Sequence, residues 1–204
     1  MRLLRSLLPV TIIFMLSCSN NREKGKISIK DEKGKTTATF DVKSIEEIAK
    51  AAEKSEDKVE ELKKLTPLTS DQLKAMMPEE LMGIKRTSVG ASSISGASSG
   101  TALYKSEDGK ELKLIIYDCA GEAGAGIYSL RYLTLWSIQY EDENGYQKTV
   151  DFNGQKAIEN YVKDREEYSI AFLSNDRFLV TVEGDKTGLD MVKQAANSLN
   201  LKVN

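Results

Sequence analysis

Histidine is missing altogether from the 204 residues, and this absence removes more chemistry than any other feature of the chain. Imidazole is the usual base behind a serine or cysteine nucleophile, the side chain that titrates near neutral pH and the commonest zinc ligand. Most hydrolase mechanisms are thereby left without their proton carrier. Cysteine is nearly as scarce, with only Cys18 and Cys119, so no disulfide framework can be built. Neither sign of charge dominates, since 29 Lys and Arg face 31 Asp and Glu, and a basic field for nucleic acid is therefore excluded. No apolar run approaches the about 20 residues that a spanning helix needs. The 40% hydrophobic and 29% charged fractions instead fit a globular, solvated chain.

The first residues are organised differently from the rest. Arg2 and Arg5 supply a positive start, Leu7 to Leu16 an apolar stretch about half the spanning length, and Ser17 a small residue before Cys18. This order predicts a secretory signal over residues 1–17. Met15-Leu16-Ser17-Cys18 resembles the lipobox read by lipoprotein signal peptidase, although Leu is usual where Met15 stands and a small residue where Leu16 stands. The resemblance implies lipidation of Cys18 and attachment to a membrane through the lipid anchor. Removing 17 residues leaves 187, enough for one domain with its own core and too few for two ordinary ones. Removing Arg2 and Arg5 leaves 27 basic residues against 31 acidic, a formal charge of −4.

Residues 18–66 read as a tether. Lys26 to Lys30 and Thr36 to Phe40 alternate around Asp31-Glu32-Lys33-Gly34 as a small hairpin or stalk, which would be marginal alone. From Ser44 to about Leu65, Ile45, Ile48, Ala52, Val59 and Leu62 recur at helical spacing, with Ser44 and Glu47 as a capping box. Three roles fit this narrow-striped helix: docking on the domain, spacing it from the membrane, or pairing with a partner helix. The expectation is that the leader to about Leu65 is dispensable for folding, at a cost of about 1 kcal/mol or less.

The module proper is placed at residues 67–204. Ser70 to Met77 forms a short helix between Pro67 and Pro78, and Gly83 to Ala91 a strand. The Ser/Gly-rich stretch Ala91 to Gly100 reads as a flexible loop or a weak strand edge. Thr101 to Lys105 and Leu112 to Tyr117 make a hairpin around Asp108-Gly109. Tyr146 to Phe152, Gln155 to Tyr161, Tyr168 to Leu173 and Phe178 to Val182 follow as strands, with turns at Asn153-Gly154 and Ser174-Asn175-Asp176. Such short connections demand antiparallel pairing. Gly121, Gly124 and Gly126 suggest a loop, and Gly126 to Gln139 a buried helix, although its aromatic residues also fit period two. Asp190 to Leu199 closes the chain as an amphipathic helix. The fold class is thus α+β: a mainly antiparallel sheet flanked by helices, one domain behind a helical leader.

No motif assembles a reaction centre. Gly121 to Gly126 runs GxxGxG where a dinucleotide site wants GxGxxG, and no Lys-Ser/Thr follows as a P-loop requires. Ser55-x-x-Lys58 lies on a charged helix, and Glu141 to Gly145 lacks the alternating ligand spacing of a calcium loop. Cys119, ending an apolar run, reads as a small buried hydrophobe. Asp118 and Glu122 are the one candidate carboxylate pair. No cofactor or metal is implied, and no catalytic residue is assigned.

Met77 to Ser88, Ala102-Leu103-Tyr104, Asp108-Gly109, Ile116-Tyr117-Asp118 with its Gly-rich continuation, Gly145 to Lys148 and Asp176-Arg177-Phe178 resemble a group of uncharacterised bacterial envelope lipoproteins. The resemblance covers roughly Pro78 to Leu201 and implies a helix after the Asp, with no activity to carry over. The alternation of strands and helices is also similar to PsbP/Mog1-like domains, at the level of fold only. The expectation is a noncatalytic module in the cell envelope, on the periplasmic or outer-membrane side, binding an envelope protein, lipid or glycan. The alternative is a carboxylate-dependent enzyme on an envelope substrate.

Overall fold

Turn chemistry sets the architecture. A computed structural model describes residues 26–30, 36–41, 55–134 and 139–201. Two-residue turns at Met82-Gly83, Ser95-Gly96 and Asn153-Gly154 hold both residues at φ between 52° and 80°. That left-handed backbone matches the twist of the flanking strands and makes tight hairpins.

The strands are β1 (Lys26–Lys30), β2 (Thr36–Asp41), β3 (Glu80–Leu81), β4 (Ile84–Ile94), β5 (Ala97–Lys105), β6 (Glu111–Asp118), β7 (Gln139–Asp142), β8 (Gly145–Phe152), β9 (Gln155–Val162), β10 (Glu167–Ser174) and β11 (Phe178–Asp185). β1 and β2 pair with each other, as the alternation predicted. The rest form one sheet in the order β3-β4-β5-β6-β11-β10-β9-β8-β7, antiparallel throughout. Two meanders compose it. The first ends with β6 at the centre; the chain then reaches the far edge at β7 and returns strand by strand. β11 is thereby laid against β6 in a register running from Phe178↔Asp118 to Asp185↔Glu111.

Each face carries its own core, because inward and outward residues alternate along the central strands. On the first face Tyr104, Leu112, Leu114, Ile116, Ile170, Phe172, Phe178, Val180 and Val182 pack under helices α2 (Ser70–Met76) and α4 (Leu189–Ser198). On the second, Ile158, Ala171, Leu173 and Leu179 pack with Cys119, Ala125 and Tyr128. Here the covering helices are α1 (residues 55–63) and α3 (Gly121–Thr134). The α2 start uses Thr69 and Gln72 in a reciprocal capping box. The fold class read from the sequence is the one observed.

Three local expectations are corrected. Of the two readings of Ala91 to Gly100, the flexible loop is overturned and the strand edge stands: it is the end of β4, a two-residue turn and the start of β5. Its small residues serve packing, since a Cβ on Gly100 would lie 2.5 Å from Met77 Cε beneath α2. Gly121, Gly124 and Gly126 form no loop either, and belong to the first turns of α3. A Cβ on Gly124 would stand 2.5 Å from the Cys119 carbonyl carbon, so glycine lets the helix start directly against the strand end. That helix runs to Thr134, with Tyr128 buried and Leu130 exposed, while residues 135–138 of the segment expected to be helical lie outside the described residues.

The third concerns the leader. Its cap residues Ser44 and Glu47, with Ile45 and Ile48, lie outside the described residues. Leu62, however, is fully buried in the second core with Val59 and Leu65 packed around it, so a division after residue 66 cuts through a packed cluster. Of the three roles open to the helix, its last turns dock on the domain. Leu62→Ala is therefore expected to cost about 2–5 kcal/mol. A chain starting near Pro67 should melt well below the longer form, not within a few degrees of it. The same variants should speed thiol labelling of Cys119, a fully buried group whose thiol burial pushes up to about 12. Unchanged melting and labelling would show that the helix contributes nothing to this core.

Candidate functional site

Two carboxylates are buried among the described residues, Asp118 at 0% and Glu159 at 1% exposure. A lone ion there would cost several kcal/mol, so the partners of each decide what it can do.

Asp118 is the last residue of β6, and Arg177 directly precedes β11, so the central strand pairing brings the two together. The guanidinium donates from Nε to Oδ1 at 2.7 Å and from a terminal nitrogen to Oδ2 at 2.9 Å, a forked pair. Backbone N–H groups complete the shell: Leu68 donates to Oδ2 at 2.7 Å and Ala120 to Oδ1 at 3.1 Å. Arg177 also donates to the Thr66 carbonyl at 3.0 Å, and its pKa is raised above its usual value by the hydrogen bonds to Asp118. Each carboxylate oxygen thus accepts two hydrogen bonds from the protein itself. Sequence reasoning singled out Asp118 and quoted Arg177 only within Asp176-Arg177-Phe178, not as the partner of that carboxylate.

Glu122, the other half of the candidate pair, is exposed on the first turn of α3, whereas Asp118 is fully buried, and it stands close enough to Lys63 to act on its charge. The two carboxylates form no acid–base pair. Lys58 of the Ser55-x-x-Lys58 match pairs with Glu61 at 3.0 Å. Glu141 and Asp142 end β7, with Tyr140 donating to Asp142 at 2.6 Å and Asn144 N–H to it at 2.8 Å; this is an exposed strand end and its turn, with no set of converging ligands. Among the described residues no group of three or more Cys, Asp or Glu is placed to hold a metal.

Glu159 escaped the sequence reading entirely. It sits on β9 on the first face, where Lys148 lies opposite on β8 and Lys193 approaches from α4. Lys193 meets Oε2 at 2.7 Å, Lys148 meets Oε1 at 3.0 Å and the Tyr146 hydroxyl donates to Oε1 at 2.9 Å. Burial pushes its pKa up, but the three hydrogen bonds outweigh that and hold it below the usual range. Tyr146 is pushed up by burial and by its bond to Glu159. Beyond it the Tyr161 ring stacks on Tyr168 at 4.4 Å and tilts against Tyr146 at 5.8 Å, while Lys148 stands 4.5 Å over the Tyr146 ring. The cluster carries two cations on one anion beside half-buried aromatic rings. Its signal was non-local, since only the strand register sets 148 opposite 159.

A shallow groove of about 360 Å³ runs between the ends of α2 and α4, lined by Met76, Pro78, Leu81, Met82 and Leu199 among others. Glu80, Ser198 and Asn200 also line it, so it is mixed in character and carries a single ionisable side chain. No protein-family model matches the chain, and neither a curated protein nor a solved structure matches it.

Two substitutions separate structural from chemical roles. Asp118→Asn breaks the fork while leaving a half-buried guanidinium, and should cost about 3 kcal/mol, or about 6–12 °C of melting temperature; full stability retained would contradict the clamp. Glu159 has a depressed folded pKa, so its contribution is present above the unfolded value of about 4.3 and lost as pH falls through the lower folded one. Glu159→Gln should thus lower the melting temperature at pH 7 and differ little from the unaltered chain at about pH 3. An equal deficit at both pH values would show that charge is not what the lysines recognise.

Proposed function

We propose that this chain is a lipid-anchored module of the bacterial cell envelope with a noncatalytic binding or scaffolding role. The observation that carries the noncatalytic reading is the Asp118 shell: the carboxylate best placed for chemistry by sequence accepts four hydrogen bonds from Arg177, Leu68 and Ala120. Its designated partner Glu122 lies apart in solvent. A general acid or base must exchange a proton with substrate, and a carboxylate saturated by an arginine fork and backbone donors is held as a structural anion.

The anchoring reading is supported by the order of Arg2 and Arg5, the apolar run Leu7 to Leu16, and Ser17-Cys18. No described helix is long and apolar enough to cross a membrane, so the attachment proposed rests on Cys18 and its acyl chains. The resemblance of residues 78–201 to envelope lipoproteins points the same way. An envelope protein, lipid or glycan is the partner class proposed.

Cys18→Ala should abolish acylation and release the chain from the membrane fraction. Mass spectrometry should find the mature N-terminus at an acylated Cys18 in the unaltered protein. A mature chain beginning elsewhere, or a Cys18→Ala variant that stays membrane-bound, would overturn the anchor.

A further inference from the structure

The two edges of the nine-stranded sheet are finished differently. β7, at one end, is four residues long and carries Glu141 and Asp142. Short charged strands of this kind discourage pairing with another chain. At the other end β3 covers only Lys85 and Ile84 of the eleven-residue β4. One further backbone bond on that side runs from Arg86 N–H to the Glu79 carbonyl. Thr87 is a bulge, and from Ser88 to Ile94 β4 pairs with β5 alone, so among the described residues its outer backbone groups are open.

That open segment reads Ser-Val-Gly-Ala-Ser-Ser-Ile, with no charge and no proline. Ser88, Gly90, Ser92, Ser93 and Ile94 are exposed, Ile94 at 70%. An extended edge with unpaired N–H and C=O groups accepts one kind of partner, another extended strand. The charge pattern favours a second copy of this chain. Antiparallel self-pairing centred on Ala91 would set Gly90 against Ser92 and Val89 against Ser93. The faces then match, because Val89 and Ala91 both pack toward the first core. Lys85 and Arg86, the nearest cations, would lie at opposite ends of the paired segment, away from their own copies.

We propose that β4 is a self-association edge through which two copies form one continuous antiparallel sheet. So short an edge buries little surface, and the contact belongs to the weak, reversible class below about 1,200 Å². The inference goes beyond the envelope role and does not depend on Cys18 being acylated.

The test uses the full chain in its native membranes, or in the soluble fraction if it is found there. Ser92→Cys adds one exposed thiol near the proposed axis, with Glu141→Cys on the opposite edge as control. A short bis-maleimide should join two chains carrying Ser92→Cys and leave the Glu141→Cys chain monomeric. Adding Ile94→Lys to Ser92→Cys should reduce the dimer roughly tenfold, the change that about 1.4 kcal/mol of lost pairing makes. Folding is scored in the same sample, because the buried Cys119 should stay slow to label in every variant. Absence of a Ser92→Cys dimer in a chain whose Cys119 stays protected overturns the proposal. Equal crosslinking from Glu141→Cys, persistence of the dimer with Ile94→Lys, or capture only of other proteins does so as well.

Discussion

The Asp118 carboxylate is the point on which the arrangement of layers depends. It ends β6 where the two meanders meet, and Arg177 reaches it from the first residue before β11. The same carboxylate takes the Leu68 N–H, Arg177 takes the Thr66 carbonyl, and the Ser98 hydroxyl donates to the Leu68 carbonyl at 2.8 Å. The connection between α1 and α2 is therefore fixed by both its donors and its acceptors as it passes the sheet end. That fixation sends one helix to each face, with Leu62 in the second core and Leu73 in the first. A buried ion is costly alone, but here desolvation is offset by a forked cation and two backbone donors, and the geometry then admits only one path for the chain.

What the sequence made legible was local. Asp108-Gly109 and Asn153-Gly154 announced their hairpins through turn chemistry, and the apolar run Leu112 to Tyr117 marked the strand after the first of them. Composition misled where small residues served close approach. Gly100 under Met77 and Gly124 against Cys119 read as loop because glycine frees the backbone, whereas both are selected for lacking a Cβ. The narrow stripe of Val59 and Leu62 left docking, spacing and helix pairing all open; docking suffices because α3 and the face of β10 and β11 supply the remaining wall. Arg177 and Lys148 stayed hidden as partners because nothing in their own neighbourhoods names residue 118 or 159, and register alone does so.

The two buried carboxylates are stabilised in contrasting ways. Asp118 is paired with a cation of 15% exposure and with backbone that cannot move independently, so it locks the seam. Glu159 is held by lysines that keep 45% and 35% of their side chains in water. Those lysines come from β8 and α4, and the ion thus pins the closing helix to the outer half of the sheet, beyond the apolar contacts of Val192, Ala195 and Ala196. Flexible, hydrated lysines lose less on separation than a buried fork would, so this half should open before the seam does.

The direction of the ionisation shifts adds a constraint on the whole. Glu159 moves down against burial and Asp108 is drawn down to about 2 by Lys110 and Ser106. Cys119 and Tyr104 are both pushed up to about 12 by burial, and Tyr146 also rises. The depressed carboxylates favour the folded chain at every pH above their ordinary values near 4. The raised thiol and phenols cost nothing until the unfolded forms begin to ionise, from about 8.5 for cysteine upward. The chain has no histidine, the side chain whose ordinary pKa falls between these limits. Stability should then be level from about pH 5 to 8, as suits a module whose tie points are fixed ions and not switchable ones.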